Sequence, residues 1–129
     1  MILTPSRFEL KFKVPGGTSR GVLHTKETFF IKVESEGRVG IGECGLFRGL
    51  SHDDRPDYES KLEWLSANID RDPEWLKEEL QDYPSIVFGL EQALRSLNAR
   101  SPFDLFPSDF TSGKAKIPIN GLVWMGDRR

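Results

Sequence analysis

The 129 residues, 37% of them hydrophobic, suffice for one buried core of the ordinary globular kind. Eighteen basic residues against twenty acidic ones leave a formal charge of −2 with no block of either sign, which argues against nucleic-acid and anionic-membrane partners. The single cysteine, Cys44, excludes an internal disulfide and a multi-cysteine metal site, and no apolar run reaches the length of a membrane span. With Pro5 and charges where a signal peptide would be apolar, a cytoplasmic location is expected.

The first periodic stretch is Phe8 to Val14, where Phe8, Leu10, Phe12 and Val14 alternate with Glu9, Lys11 and Lys13, the pattern of a half-buried strand. Pro15, Gly16 and Gly17 are expected to end it, and the residues up to Lys26 read as a polar loop carrying Val22 and Leu23. Thr28 to Glu34 alternates again through Phe29, Ile31 and Val33. A short connection at Ser35, Glu36 and Gly37 predicts a hairpin to Val39–Glu43. A three-stranded antiparallel meander follows, with one wet face and one apolar face that needs cover.

Three helical patterns supply that cover. Asp53, Asp54, Pro56 and Asp57 are helix-start residues ahead of Tyr58, Leu62, Leu65 and Ile69. Asp72 and Pro73 open a second short helix with Trp75, Leu76 and Leu80 on its apolar face. Pro84 and Ser85 open a third, striped by Ile86, Leu90, Ala93, Leu94 and Leu97 and closing near Asn98. Strands followed by helices predict an α+β fold. Beyond residue 100 the composition turns loop-like until Ile117 to Met125, which is strand-like, although Pro118 and Gly121 suit the middle of the first sheet poorly.

Between the meander and the helices lies VGIGECGLFRGLS, Val39 to Ser51. Its four glycines leave backbone uncovered while Ile41, Leu46, Phe47 and Leu50 supply apolar surface. Such a run can pass close to another backbone or to a ligand, and both readings stand at this point.

The reactive side chains form no recognisable catalytic set. His24 and His52 lack a second histidine at ligand spacing and read as loop residues. Asp53, Asp54 and Asp57 could hold a divalent cation, but their place before a helix is explained by its amino-terminal dipole. Cys44 reads as a small buried side chain, Glu43 and Glu91 as structural carboxylates, and Trp64, Trp75 and Trp124 as packing residues.

Three separated stretches, TSRGVL at 18–23, GECGLFRGLS at 42–51 and INGLVWMG at 119–126, occur in an order that resembles the amino-terminal part of the enolase superfamily. The branch is that of muconate lactonising enzymes, dipeptide epimerases and o-succinylbenzoate synthases, and the last of these is the nearest resemblance. The resemblance implies a capping domain at residues 1–100, a linker at 101–116, and the first strand region of a (β/α) barrel at 117–129. It also implies that two loops close the barrel mouth: Thr18, Ser19, Arg20, Gly21, Val22 and Leu23 in one, Leu46, Phe47, Arg48, Gly49 and Leu50 in the other. Phe47 and Leu50 would pack on a substrate ring or side chain, and Ser19 or Arg20 would meet its carboxylate.

Such enzymes use Mg²⁺ and barrel residues to abstract a proton beside a carboxylate, so this chain is expected to hold no catalytic or metal-binding residue and to be inactive alone. Lys114 and Lys116 superficially resemble the superfamily's paired lysines, yet they precede the first barrel strand rather than end a later one. The implied partners are a small carboxylate substrate and the chain's own barrel. The alternatives are dipeptide epimerisation or muconate cycloisomerisation on the same scaffold, or a self-standing α+β binding module.

Overall fold

A computed structural model describes residues 1–18 and 21–121, with the backbone alone for Thr18. Three strands, β1 (Ile2–Thr18), β2 (Gly21–Ser35) and β3 (Arg38–Cys44), precede three helices, α1 (Tyr58–Asn68), α2 (Pro73–Glu79) and α3 (Pro84–Asn98). The sheet is antiparallel in the order β1-β2-β3. The α+β meander with helical cover is therefore the observed fold. Glu36 and Gly37, both at positive φ, make the β2–β3 turn.

The strands extend well past their expected ends. Of the stretch from Pro15 to Lys26, expected as a loop, Pro15–Thr18 belong to β1 and Gly21–Lys26 to β2. Pro15 does not stop β1 because the ladder shifts there: Lys11 pairs with Thr25 and Gly16 with Leu23, so Phe12 to Pro15 lie against His24 alone. A bulge of this size removes the need for a ladder donor at the proline.

The registers also correct which residues face the helices. Directly opposed residues share a face, and Leu3 lies opposite Val33 while Phe8 lies opposite Thr28. Leu3, Phe29, Ile31 and Val33 are buried on the helix side. Phe8, expected in the core, lies on the other side with Leu10, and its ring meets Phe30 edge-on at 6.1 Å. Phe8 is 52% exposed. The sheet thus has apolar groups on both faces, and the described helices cover one of them.

The core closes where α3 lies on β3. Gly40 and Gly42 face the helix together with Cys44. A Cβ at Gly42 would stand 1.9 Å from the Gly89 carbonyl oxygen, one at Gly40 2.1 Å from that of Ala93, and one at Gly89 2.5 Å from Cys44 Sγ. These contacts decide between the two readings of the glycine run: at Gly40 and Gly42 the close neighbour is another backbone. Side chains of α3 also satisfy the outer edge of β3, since Ser96 Oγ accepts from the Ile41 amide and Gln92 Oε1 from that of Glu43, each at 3.0 Å. Ser96 donates in turn to the Pro102 carbonyl at 2.7 Å, which ties the chain beyond α3 to the sheet.

The remaining helices follow their sequence signals closely. Asp72 Oδ1 caps α2 through the amides of Glu74 and Trp75 at 3.0 and 3.1 Å, with Pro73 in the first turn. Tyr58, Leu62 and Leu65 bury the inner face of α1. Trp64 and Trp75 pack on each other at 5.7 Å. Ile117 to Gly121, expected as strand, has no regular structure, and Leu122 to Arg129, Trp124 included, lie outside the described residues.

Candidate functional site

The second loop is a closed turn. The Phe47 amide donates to Ser51 Oγ at 2.8 Å, and the amides of Leu50 and Ser51 return to the Phe47 carbonyl at 3.1 and 2.9 Å. Gly49 sits at φ +73, where glycine is unstrained, and its amide reaches Asp54 Oδ2 at 2.5 Å. Leu46 is fully buried, Phe47 half-buried with Lys26 Nζ 4.7 Å above its ring, and Leu50 59% exposed. Leu46 therefore belongs to the core, and Leu50 is the apolar side chain that the turn presents outward.

Arg48, though exposed, is paired with the body. Its Nη1 donates to Asp54 Oδ1 at 2.9 Å, its Nε to Glu27 Oε1 at 2.8 Å, and Nη2 lies 2.6 Å from the same Glu27 oxygen. Glu27 also pairs with Arg7 of β1. The guanidinium stands 5.9 and 5.8 Å from the rings of Phe29 and Tyr58. The Gly49 amide, and after it Arg48, hold the Asp54 carboxyl below the usual carboxylate range.

The first loop is the tip of the β1–β2 hairpin. Thr18 ends β1 and Gly21, Val22 and Leu23 begin β2, with Gly21 at φ +132. Ser19 and Arg20, the expected carboxylate contacts, lie outside the described residues. Val22 is 60% exposed. The described residues Gly21 to Leu23 of the first loop are joined to the second through β2. Glu27, which holds Arg48, is six residues from Gly21, and at about 3.4 Å per residue Gly21 stands roughly 20 Å farther along the strand. Any pocket closed by both loops needs a third surface between them.

The acidic run ahead of α1 is fully engaged, each carboxylate differently. Asp53, 2% exposed, accepts from the Ser85 amide at 2.8 Å and its hydroxyl at 2.5 Å, so it caps α3 rather than the nearer α1. Asp54 holds the turn, and Asp57 accepts from Tyr83 at 2.6 Å, which lowers its pKa. Among the described residues no group of three or more histidine, cysteine, aspartate or glutamate side chains is placed to hold a metal ion. The described residues therefore offer no set that fits Mg²⁺.

Cys44 is fully buried, and burial first, then Asp53 and Glu43, push its thiol up to about 12. A thiol so shielded from ionisation is a packing group, not a nucleophile. Glu43 accepts from Thr28 Oγ1 at 2.9 Å and lies 3.6 Å from Lys26, and Glu91 pairs with Lys77 at 3.0 Å, as structural carboxylates do. His24 and His52 are exposed. Sequence reasoning missed Glu27 and Asp54 as anchors of the turn, because the partners lie 21 and 6 residues from Arg48 and neither spacing is a helical one.

Beside this turn is a cleft of about 510 Å³ lined in part by Lys26, Ser51, His52 and Gln92. A larger groove of about 980 Å³ runs along the outer side of α3, where Arg95 stacks on Phe106 at 4.8 Å. No helix among the described residues is long and apolar enough to cross a membrane.

The o-succinylbenzoate synthase of Desulfotalea psychrophila is 34% identical over an alignment that takes in 98% of this chain and 43% of that protein. The crystal structure of MenC from the same organism superposes with a TM-score of 0.77 at 28% identity, over 98% of this chain and 42% of that one. The chain is similar to the amino-terminal region of an o-succinylbenzoate synthase and has the enolase superfamily's capping-domain fold. A mandelate racemase/muconate lactonizing protein from Herpetosiphon aurantiacus shares the fold with a TM-score of 0.62 at 16% identity, over 76% of this chain and 30% of that one. The chain spans less than half the length of the curated relative it matches. No family model matches it.

Proposed function

We propose that this chain is the capping part of an o-succinylbenzoate synthase-like enzyme, a Mg²⁺-dependent dehydratase serving menaquinone synthesis in the cytoplasm, with the catalytic residues supplied by a (β/α) barrel. The observation that carries the reading is the likeness in sequence and fold over 98% of the chain to one region of such an enzyme. The physical division of labour agrees with it. The chain offers one shaped turn and exposed apolar surface, while Asp53, Asp54 and Asp57 are engaged in hydrogen bonds and Cys44 is buried in the core.

In this reading the hairpin tip and the Gly45–Ser51 turn exclude water above the barrel mouth, strengthening the electrostatics within. Residues 101–116 link the two parts and 117–129 enter the first barrel strand. The metal and the base belong to the barrel, which is the chain's partner, and the substrate is a small carboxylate. Dipeptide epimerisation or muconate cycloisomerisation remains the second reading, favoured only by the shared fold of the muconate-lactonizing neighbour.

The test is dehydration of the o-succinylbenzoate precursor with Mg²⁺, by the chain alone and by the protein extended through its downstream coding sequence. Activity confined to the extended protein is expected. A folded, metal-loaded extended protein that turns over dipeptide or muconate substrates instead would replace the reaction while keeping the capping role. Absence of any downstream barrel would leave a binding module.

A further inference from the structure

A loop that closes a pocket is usually poor in internal contacts, because it must open. The Gly45–Ser51 turn is built in the opposite way. Asp54 alone holds two successive residues of it, Arg48 through the guanidinium at 2.9 Å and Gly49 through the backbone amide at 2.5 Å. The same guanidinium is fixed on β2 by Glu27, so the carboxylate of Asp54 ties the tip of the turn to the sheet. Glu59 stands 3.9 Å from Arg48 Nη2, and the cation is thus surrounded by three carboxylates. Phe47 is pinned beneath Lys26, and Leu50 is left projecting.

We propose that Asp54 is a positioning residue that latches a preorganised wall, and that this wall selects its ligand by apolar contact at Leu50 rather than through the charge of Arg48. The inference rests on the capping reading and narrows it, since the loop contributes to substrate binding without a closing motion of its own. A preorganised wall loses little entropy when the ligand arrives. Arg48 serves the same end from behind, because a guanidinium held by Glu27 through Nε and Nη2 and by Asp54 through Nη1 is fixed in direction as well as distance.

The experiment uses the full-length protein with Asp54→Ala, Asp54→Asn and Leu50→Ala, reading amide hydrogen exchange at Gly49 and steady-state kinetics with the o-succinylbenzoate precursor. Asp54→Ala is expected to speed Gly49 exchange by on the order of tenfold and to raise KM several-fold, with kcat held within about twofold. Asp54→Asn keeps an acceptor for the Gly49 amide and restores most of the KM. Leu50→Ala raises KM while leaving Gly49 exchange unchanged.

Unaltered exchange in Asp54→Ala would refute the latch whatever the enzyme does. Faster exchange with KM unchanged in both Asp54→Ala and Leu50→Ala would remove the turn from the pocket and overturn the proposal together with the capping reading. A fall in kcat at constant KM would overturn it in favour of a role in the chemical step. If the precursor is not a substrate at all, the reaction assigned above fails, and the exchange data still decide the latch.

Discussion

Replacing Gly42 by alanine tests whether the β3–α3 contact organises the core. The new methyl would lie 1.9 Å from the Gly89 carbonyl oxygen, 2.8 Å from its carbon and 3.0 Å from the Ala93 nitrogen. All three are backbone atoms, so no side chain can swing away. A carbon–oxygen contact needs about 3.3 Å, and α3 must therefore retreat by more than an ångström. That retreat stretches the bonds from the Ile41 and Glu43 amides to Ser96 and Gln92, worth about 1 kcal/mol each. It also opens the seam along Ile86, Leu90 and Ala93, with an overpacking cost of about 1–3 kcal/mol. The total, about 3–5 kcal/mol, is a large share of the 5–15 kcal/mol that holds a domain of this size together. Thermal unfolding followed by circular dichroism should show the midpoint falling by roughly 10–20 °C. Gly16→Ala, where a Cβ meets nothing within 4 Å, is the control and should stay within about 0.5 kcal/mol of the parent. A Gly42→Ala protein that unfolds with its Gly16→Ala counterpart would show that β3 and α3 are not in the contact described.

Three further outcomes follow from single groups. Asp53→Ala strips the cap from α3 and leaves the Ser85 amide without its acceptor, a loss of about 2–3 kcal/mol expected in urea unfolding. Ser96→Ala removes the acceptor for the Ile41 amide and the donor to Pro102, and should cost about 1–3 kcal/mol while speeding proteolysis after residue 100. Cys44, ordinarily ionising near 9 but pushed up to about 12 by burial, keeps its proton in the folded chain where the unfolded chain has lost it. Folding stability should therefore fall as pH rises from about 9 towards 12, and the raised pKa of Tyr58, also from burial, adds in the same direction above 10. Cys44→Ala should flatten the thiol's part of that decline in unfolding titrations, and native Cys44 should react with a thiol reagent at pH 8 only once denaturant is added.

The helices were legible because their signals are local: Asp72 with Pro73 starts α2, and the stripe from Ile86 to Leu97 is one continuous face. The small residues within that stripe, Gly89 and Ser96, were not singled out, since their purpose appears only when β3 lies against them. The glycines at 40 and 42 did announce close approach, but nothing in their neighbourhood says what approaches. Pro15, Gly16 and Gly17 misled because a bulge can absorb residues that ordinarily end a strand. The faultless alternation of Phe8 to Val14 showed a two-sided strand correctly, while the choice of side depended on the register with β2, a long-range property. Asp53 illustrates the same limit at the candidate site: its capped helix begins 31 residues later, beyond the reach of any spacing rule.

The exposure of the β1–β2 hairpin has a further consequence for how the two halves of the sheet behave. Near Ile31 the sheet is three strands wide and backed by helices, whereas across Phe8–Thr18 and Gly21–Glu27 it is a ribbon of two strands with Phe8, Leu10, Val14 and Val22 all at least 40% exposed. A two-stranded ribbon is marginal in water, because pairing alone scarcely offsets the entropy of ordering it. Its stability must come from a surface laid against those side chains, which in the proposed reading is the barrel. Amide exchange should therefore be fast along residues 8–17 and 21–25 in the isolated chain, with Phe29 to Val33 protected, and the ribbon should gain protection in the extended protein. Equal protection of ribbon and body in the isolated chain would show that the hairpin sustains itself, and its exposed apolar residues would then need no barrel to explain their order.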